Sequence, residues 1–363
     1  MKKSLAALLV AGLAASAGAQ AQTTVSLYGL VDAYVGGVRN SAGPSQGTGV
    51  QINSGGMSTS YFGVGGTEDL GGGLKTVFAL ESFLRLDTGA FGRFNGGDTA
   101  FARNAFVGMA GPFGQVTLGR NTNPYFLSTI LFNPFVDSFS FSPAVSHVFL
   151  GANNSQGRVT PGGVLGNVVD GDTGFSNSIR YTSPTFGGLR ADVVYSASTA
   201  SVLGQESLTR PQFGRAVDAG LFYGAGPFAA TAVYRTIDLK DGSPNGRDQN
   251  SYLLGASYDL KVAKLFAQYN DSRNNFVTGP DTKRRTYQLG VSVPVGSGAI
   301  LASWADSRFT QTGVSNKRDT FAIGYDYNFS RRTDTYLVYY RDAMKDVVNN
   351  TASVLALGIR HRF

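Results

Sequence analysis

The chain has no cysteine, one tryptophan and two histidines in 363 residues. Without cysteine there is no disulfide scaffold and no thiolate chemistry. His147 and His361 are far apart in sequence, so a transition-metal site has no ligand set. A hydrolase would need a serine, a histidine and an orienting group in one place. No inward-facing strand histidine is available, so neither enzyme nor cofactor is expected. Charged residues make up 15% of the chain, with no charge block and no Pro/Ser-rich spacer to divide it. Long apolar runs are missing too. Beyond the first residues none approaches the roughly 20 needed for a membrane helix.

The chain opens "MKKSLAALLVAGLAASAGAQAQ". Two lysines, a short apolar run and then small residues make a secretory signal peptide. Ala19-Gln20-Ala21 fits the cleavage rule, which assigns 1–21 to the signal and puts the junction between Ala21 and Gln22. Losing Lys2 and Lys3 lowers the formal charge from +7 to +5. Residues 22–363 then read as a single exported domain. Its arginines are spread singly over strands, which does not make a nucleic-acid surface.

What is abundant is glycine, tyrosine and phenylalanine, with 48, 17 and 25 copies. They fall into one repeating unit: a strand of roughly ten alternating residues, a short Gly/Pro/Asp turn, and another strand. "YFGVGGTE" and "LKTVFALESFL" meet at "DLGGG"; "FARNAFVGMA" and "QVTLGR" meet at "GPFG". Short connections alternate with longer ones such as "RNSAGPSQGTGVQINSGG", giving about 16 strands, the pattern of an outer-membrane barrel. Parity agrees. In "TFAIGYDYNF", Phe321, Ile323, Tyr325, Tyr327 and Phe329 share one face. In the terminal strand Leu355, Leu357, Ile359 and Phe363 share a face, with His361 the poor fit, and Arg360 and Arg362 point the other way. Aromatics at the ends of the apolar faces and Val, Leu and Ala in their middles match interfacial girdles around a lipid-facing band. The expected fold is all-β, a transmembrane antiparallel barrel.

The pieces "VSLYGLVDAYV", "GGTEDLGGGLKTVFALES", "FARNAFVGMAGPFGQVTLGR", "NSIRYTSPTFGGL" and the terminal "GIRHRF" together resemble the general porins of beta-proteobacteria. The resemblance implies a homotrimer of barrels in the outer membrane, among lipid and lipopolysaccharide. It implies a third long loop folded into the channel, here about Asn121 to Ser176. It also makes Phe363 the assembly signal read by the outer-membrane machinery, and puts Gly29, Ala33 and Gly36 near the trimer contact. The loop begins "NTNPYFLSTILFNPFVDSFSF", aromatic and nearly uncharged; "NPFVDS" is the nearest match to the family's acidic turn.

Inward charges set the selectivity of such a pore. With Phe106 taken as outward, Arg103 faces in, at a position where the resemblance implies a wall arginine. Parity turns Arg180, Arg235, Arg341 and Arg360 inward, and puts Lys75 and Glu81 on one inward face. Arg120 lies at a strand end, where parity is unreliable. Tyr61 stands where relatives commonly carry another arginine. The expected constriction is Arg103, Arg180 and Lys75 against Glu81 and Asp137, beside Tyr61, with Arg120, Arg235 and Arg341 as further lining. Few loop acids and a net basic chain predict a passive channel for small solutes and ions with mild anion preference. Two alternatives remain at this point. The aromatic loop suggests a channel specific for one anion or organic acid, and long Gly/Ser/Asn loops suggest a surface adhesin. Aspartates in the outer loops are more often solvated turn acids than calcium ligands.

Overall fold

A strand with one apolar and one polar flank, set in lipid, must satisfy every backbone group within its own sheet. Only a sheet closed on itself leaves no edge. The computed structural model describes residues 23–41, 46–93, 98–149, 172–197, 215–238, 246–346 and 350–363; the signal and its Ala21–Gln22 junction lie outside them. These residues form a closed antiparallel barrel of 16 strands. They are β1 Thr24–Asn40, β2 in two pieces (Gly47–Ser54 and Tyr61–Gly71), β3 Leu74–Arg85, β4 Asn104–Gly111, β5 Gly114–Thr122, β6 Gly174–Thr182, β7 Leu189–Ser196 and β8 Ala216–Ala225. The second half is β9 Phe228–Asp238, β10 Gly246–Asp259, β11 Lys264–Phe276, β12 Thr282–Val295, β13 Gly298–Gln311, β14 Val314–Asn328, β15 Thr333–Asp346 and β16 Asn350–Arg362. Each strand pairs with the next, and β16 closes on β1 from Leu30↔Arg362 to Asn40↔Ala352. Phe363 extends the seam by exchanging backbone hydrogen bonds with Gly29, both 3.1 Å.

Alternation holds along the walls. Leu355, Leu357 and Ile359 are exposed on the outside while Val354 and Ala356 are buried within. His361 stays on the outer face and meets the Thr333 hydroxyl at 2.8 Å. Three expectations change. The segment quoted as the first long loop is largely wall, because Gly47–Ser54 pairs with β1. Residues 55–60 then turn inward before β2 resumes. The later outer connections are short: Thr312–Gly313 alone joins β13 to β14. These strands continue past the bilayer because their backbone ladders persist after the apolar alternation ends.

The third correction is one of phase. In β4 the exposed apolar residues are Val107 and Met109, so Phe106 faces inward with Asn104. Ala105 faces out. Arg103 nevertheless reaches the lumen, because it precedes the strand and strand parity does not govern it.

The described parts of the constriction loop, 123–149 and 172–173, pack against the inner wall. Asn123 caps helix α1 (Pro124–Leu131) by accepting from Phe126 N at 2.8 Å, with Pro124 in the first turn. α1 packs on β8, β9 and β10, and α2 (Pro143–Phe149) packs on β12, β13 and β14. Between the helices, Phe135 and Phe141 bury against Tyr34, Met57, Tyr336, Tyr340 and Val354.

Candidate functional site: the channel constriction

Three polar assemblies hold the loop across the lumen. The first is built on Asp32 of β1, which the sequence reading did not single out. Its carboxylate accepts from the backbone N–H groups of Gly56, Met57 and Ser58 at 3.0, 2.8 and 2.8 Å and from Tyr336 Oη at 2.5 Å. The inturned segment 55–60 is thereby fixed and offers its own groups to the loop. Ser138 and Ser140 hydroxyls donate to the Gly56 and Gly55 carbonyls at 2.6 and 2.8 Å, and Ser58 Oγ donates to Asp137 at 2.8 Å. Gly56 is required here, since a Cβ would lie 1.9 Å from Tyr336 Oη.

The second assembly clamps the far end of the loop. Asp172 lies between Arg93 at 2.7 Å and Arg120, and Arg93 also holds Asp98 at 2.7 Å. Burial works to raise the Asp172 carboxyl, but the two guanidiniums overcome it and hold it at about 2. Arg120 is aimed inward by a bulge at Gly119, whose φ is +128° and whose Cβ would lie 2.2 Å from the Ala105 carbonyl. This is the local device that parity could not read.

The third pins the loop helices to the wall. Arg235 pairs with Asp218 at 2.7 Å and lies 4.2 Å from the Tyr125 ring centroid, fully buried under α1. Arg318 pairs with Asp342 at 2.8 Å and donates to the Ser146 carbonyl at 2.9 Å. His147 is buried between Ser307 and Thr320 hydroxyls, both at 2.7 Å. Arg235 therefore belongs to the loop's seat and does not line the pore. Arg341 is corrected too: it lies on the outer face, 4.0 Å from Asp319.

What remains open to the lumen is a compact group. Arg103 pairs with Glu81 and sits 4.0 Å from the Tyr61 ring centroid. Tyr28 Oη and Asn104 Nδ2 donate to Glu81 at 2.8 and 2.6 Å. The Asp137 carboxylate acts electrostatically on both Arg103 and Tyr61. Arg103, Glu81, Tyr61 and Asp137 thus come together. Lys75 and Arg180 do not. Lys75 is the second residue of β3, six residues and roughly 20 Å from Glu81 along the strand. Arg180 lies near the short-turn end of β6, paired with Asp192 at 2.8 Å. Arg360 and Arg362, inward by parity, both reach Asp334, at 3.0 and 2.8 Å, and Arg360 Nη1 also donates to Ser58 at 2.9 Å.

In three inward ion pairs the base is the more exposed partner: side-chain exposure is 31% for Arg103 against 7% for Glu81, 20% for Arg180 against 0% for Asp192, and 41% for Arg362 against 1% for Asp334, whereas Arg360–Asp326, at 9% against 17%, runs the other way. In these three the carboxylates are tucked into the wall and the guanidiniums face the passage.

A closed barrel with an apolar outer band, a polar interior and a loop docked across it defines an outer-membrane channel. Comparison with known proteins places it further: the sequence model of the Gram-negative porin family matches residues 5–346, and the chain belongs to that family. It is 34% identical to outer membrane porin protein 32 of Delftia acidovorans, over 93% of this chain and 88% of that one. It is 29% identical to an outer membrane porin of Bordetella pertussis over the full length of both. Among solved structures it is similar to an anion-selective porin from Comamonas acidovorans, with a TM-score of 0.74 at 26% identity, covering 94% of this chain and all of that one. OmpT of Vibrio cholerae in a trimer form, at 13% identity and a TM-score of 0.66 over 94% of this chain and 99% of that one, shares the fold.

Proposed function

We propose that this porin is a passive channel for small hydrophilic solutes and ions that favours anions. The observation that carries the reading is the inward asymmetry: base exposed, acid buried, in Arg103–Glu81, Arg180–Asp192 and Arg362–Asp334. Beside these pairs a solute meets guanidiniums at close range and their carboxylates only through low-dielectric wall, so the local potential there is positive even though each pair is neutral. Arg103 on the wall and Asp137 on the loop also set up a transverse field that orients dipolar solutes. A solute-specific aromatic site finds little support. Most of the loop aromatics that suggested it, Tyr125, Phe132, Phe135, Phe139 and Phe141, are buried, and Phe126 is half-buried and packs on Phe139 and Phe149.

The reading extends to assembly. A homotrimer is proposed from the family resemblance, as are recognition of Phe363 by the assembly machinery and a lipid and lipopolysaccharide surround. The test of the channel reading is the Arg103→Gln variant in a planar bilayer. Removing one exposed charge, where potentials are of order kT, should lower the anion-to-cation permeability ratio roughly two- to threefold. An unchanged ratio would show that Arg103 does not face the permeating ions.

A further inference from the structure

Glycine weakens the interior of a strand, and there it often marks a place where another part of the chain must come close. Three inward glycines of the wall that carries α1 do this. They are Gly220 of β8, Gly255 of β10 and Gly290 of β12. A Cβ at Gly220 would lie 2.9 Å from Pro124 Cβ, one at Gly255 would lie 2.9 Å from Phe132 Cγ, and one at Gly290 would lie 2.5 Å from Pro134 Cδ. By contrast, a Cβ at Gly224, also inward on β8, would meet nothing within 4 Å.

Register sets the three in one oblique line. Gly220 is opposite Val233, which is opposite Leu253, two residues before Gly255. Gly255 is opposite Gln268, which is opposite Gln288, two residues before Gly290. Pro124, Phe132 and Pro134 of the loop follow the same line. Hydrogen bonds flank it. Thr231 and Gln268, the two register partners of Gly255, hold α1 from either side: Thr231 Oγ1 lies 2.9 Å from Ser128 Oγ, and Gln268 Nε2 donates to the Thr129 carbonyl at 3.0 Å. Asp218, two residues from Gly220, accepts from Tyr125 N at 3.3 Å. Such bonds hold only over a narrow range of length, so they fix the loop at the depth that the glycines permit.

We propose that Gly220, Gly255 and Gly290 set the bore of the channel by fixing how deeply the loop beds into the wall. The loop atoms they receive belong to proline rings and to the first ring carbon of Phe132, and none is the far end of a flexible side chain. A methyl group at these positions is not accommodated by a change of rotamer; the loop backbone has to move. At Gly290 the shortfall against an ordinary carbon contact of roughly 3.5 Å is about 1 Å. Behind the loop stands a continuous ladder of paired strands, so the displacement goes into the lumen. Arg103, Glu81 and Tyr61 lie around β2–β4, on the opposite side of the barrel, and the passage between is what narrows. The bore so fixed is independent of which ions the lumen favours.

The test is Gly290→Ala in the full-length protein, refolded in detergent and reconstituted in planar bilayers. Single-channel conductance reports the bore, and its response to neutral polyethylene glycols of graded size reports the cut-off. Moving one side of the passage inward by about 1 Å should lower conductance by roughly a third and shift the cut-off to a smaller polymer. Pro134→Ala removes the ring atoms that the new methyl group would strike, so Gly290→Ala/Pro134→Ala should regain both wild-type values. A glycine needed only for barrel stability would not be rescued by a change in the loop. Gly255→Ala reads the same displacement at the neighbouring seat and keeps the test decisive if Gly290→Ala folds poorly. Gly224→Ala, in open space, should change neither reading. Wild-type conductance and cut-off in the Gly290 and Gly255 variants, a narrowed channel that Pro134→Ala does not restore, or equal narrowing by Gly224→Ala would each overturn the proposal. So would a wider, noisier channel, which would mean that the loop is released and not raised.

Discussion

At the residue scale, partners matter more than formal charge. Glu81 is held by Tyr28, Asn104 and Arg103, so Glu81→Gln should leave the cluster in place and unmask Arg103. The permeability ratio should then move toward anions by roughly two- to threefold, opposite in sign to Arg103→Gln. Asp172 yields a pH prediction. Its carboxyl lies below the ordinary 3.8, at about 2. A depressed carboxyl contributes stability that is fully present above the unfolded pKa and lost as pH falls through the folded one. Channel conductance, if the clamp keeps the loop seated, should hold steady down to about pH 4 and change only as pH approaches 2. Asp172→Asn should produce that change at neutral pH, because a buried pair that loses one partner costs about 3 kcal/mol or more; a variant with wild-type conductance and melting would remove the clamp from the account. Much at this scale was legible. Arg103, Glu81, Tyr61 and Asp137 were all named from the sequence, and all fall in one cluster. What was missed depended on features that leave no periodic trace. The phase of β4 was read one residue out because Phe106 is apolar yet faces inward. Asp32 looked like any inward aspartate because its partners come from residues 56–58 and Tyr336, and the Gly119 bulge re-aims Arg120 without altering composition.

At the element scale, the loop stays in the lumen because the wall reaches out to it. The segment 55–60 is a bracket, held by Asp32 beneath and accepting Ser138 and Ser140 above. Asp32→Ala would strand three backbone donors and a tyrosine hydroxyl, at about 1–3 kcal/mol for each group left unsatisfied. The barrel should survive, and the loop should undock often enough to raise open-channel noise and brief closures in single-channel records. Quiet records from that variant would mean that the bracket is not what holds the loop. The strands themselves were legible only over the width of the bilayer. There lipid on one side and polar interior on the other enforce alternation. Above the girdle both faces are polar, the alternation vanishes, and β11–β15 continue on hydrogen bonding alone. Residues 310–319, polar on both faces, are accordingly two strand ends and a turn.

At the scale of the whole molecule, closure and selectivity are separable. Phe363 completes the seam with two backbone hydrogen bonds to Gly29, a small part of the β1–β16 ladder. Deleting it should leave refolding from denaturant in detergent nearly unchanged, while folded protein recovered from cells falls about tenfold or more if the terminal aromatic is read during assembly, a discrimination of roughly 1.4 kcal/mol. Equal losses in both settings would make Phe363 a structural residue only. Selectivity belongs to the lumen, where Arg103, Arg180 and Arg362 are more exposed than the acids they pair with. Its most direct test is the zero-current potential of the wild-type channel in a planar bilayer under a salt gradient. The account predicts a potential of the anion-selective sign, reduced by Arg103→Gln. A potential of the cation-selective sign would contradict it, because the exposed guanidiniums would then not be what the permeating ions meet.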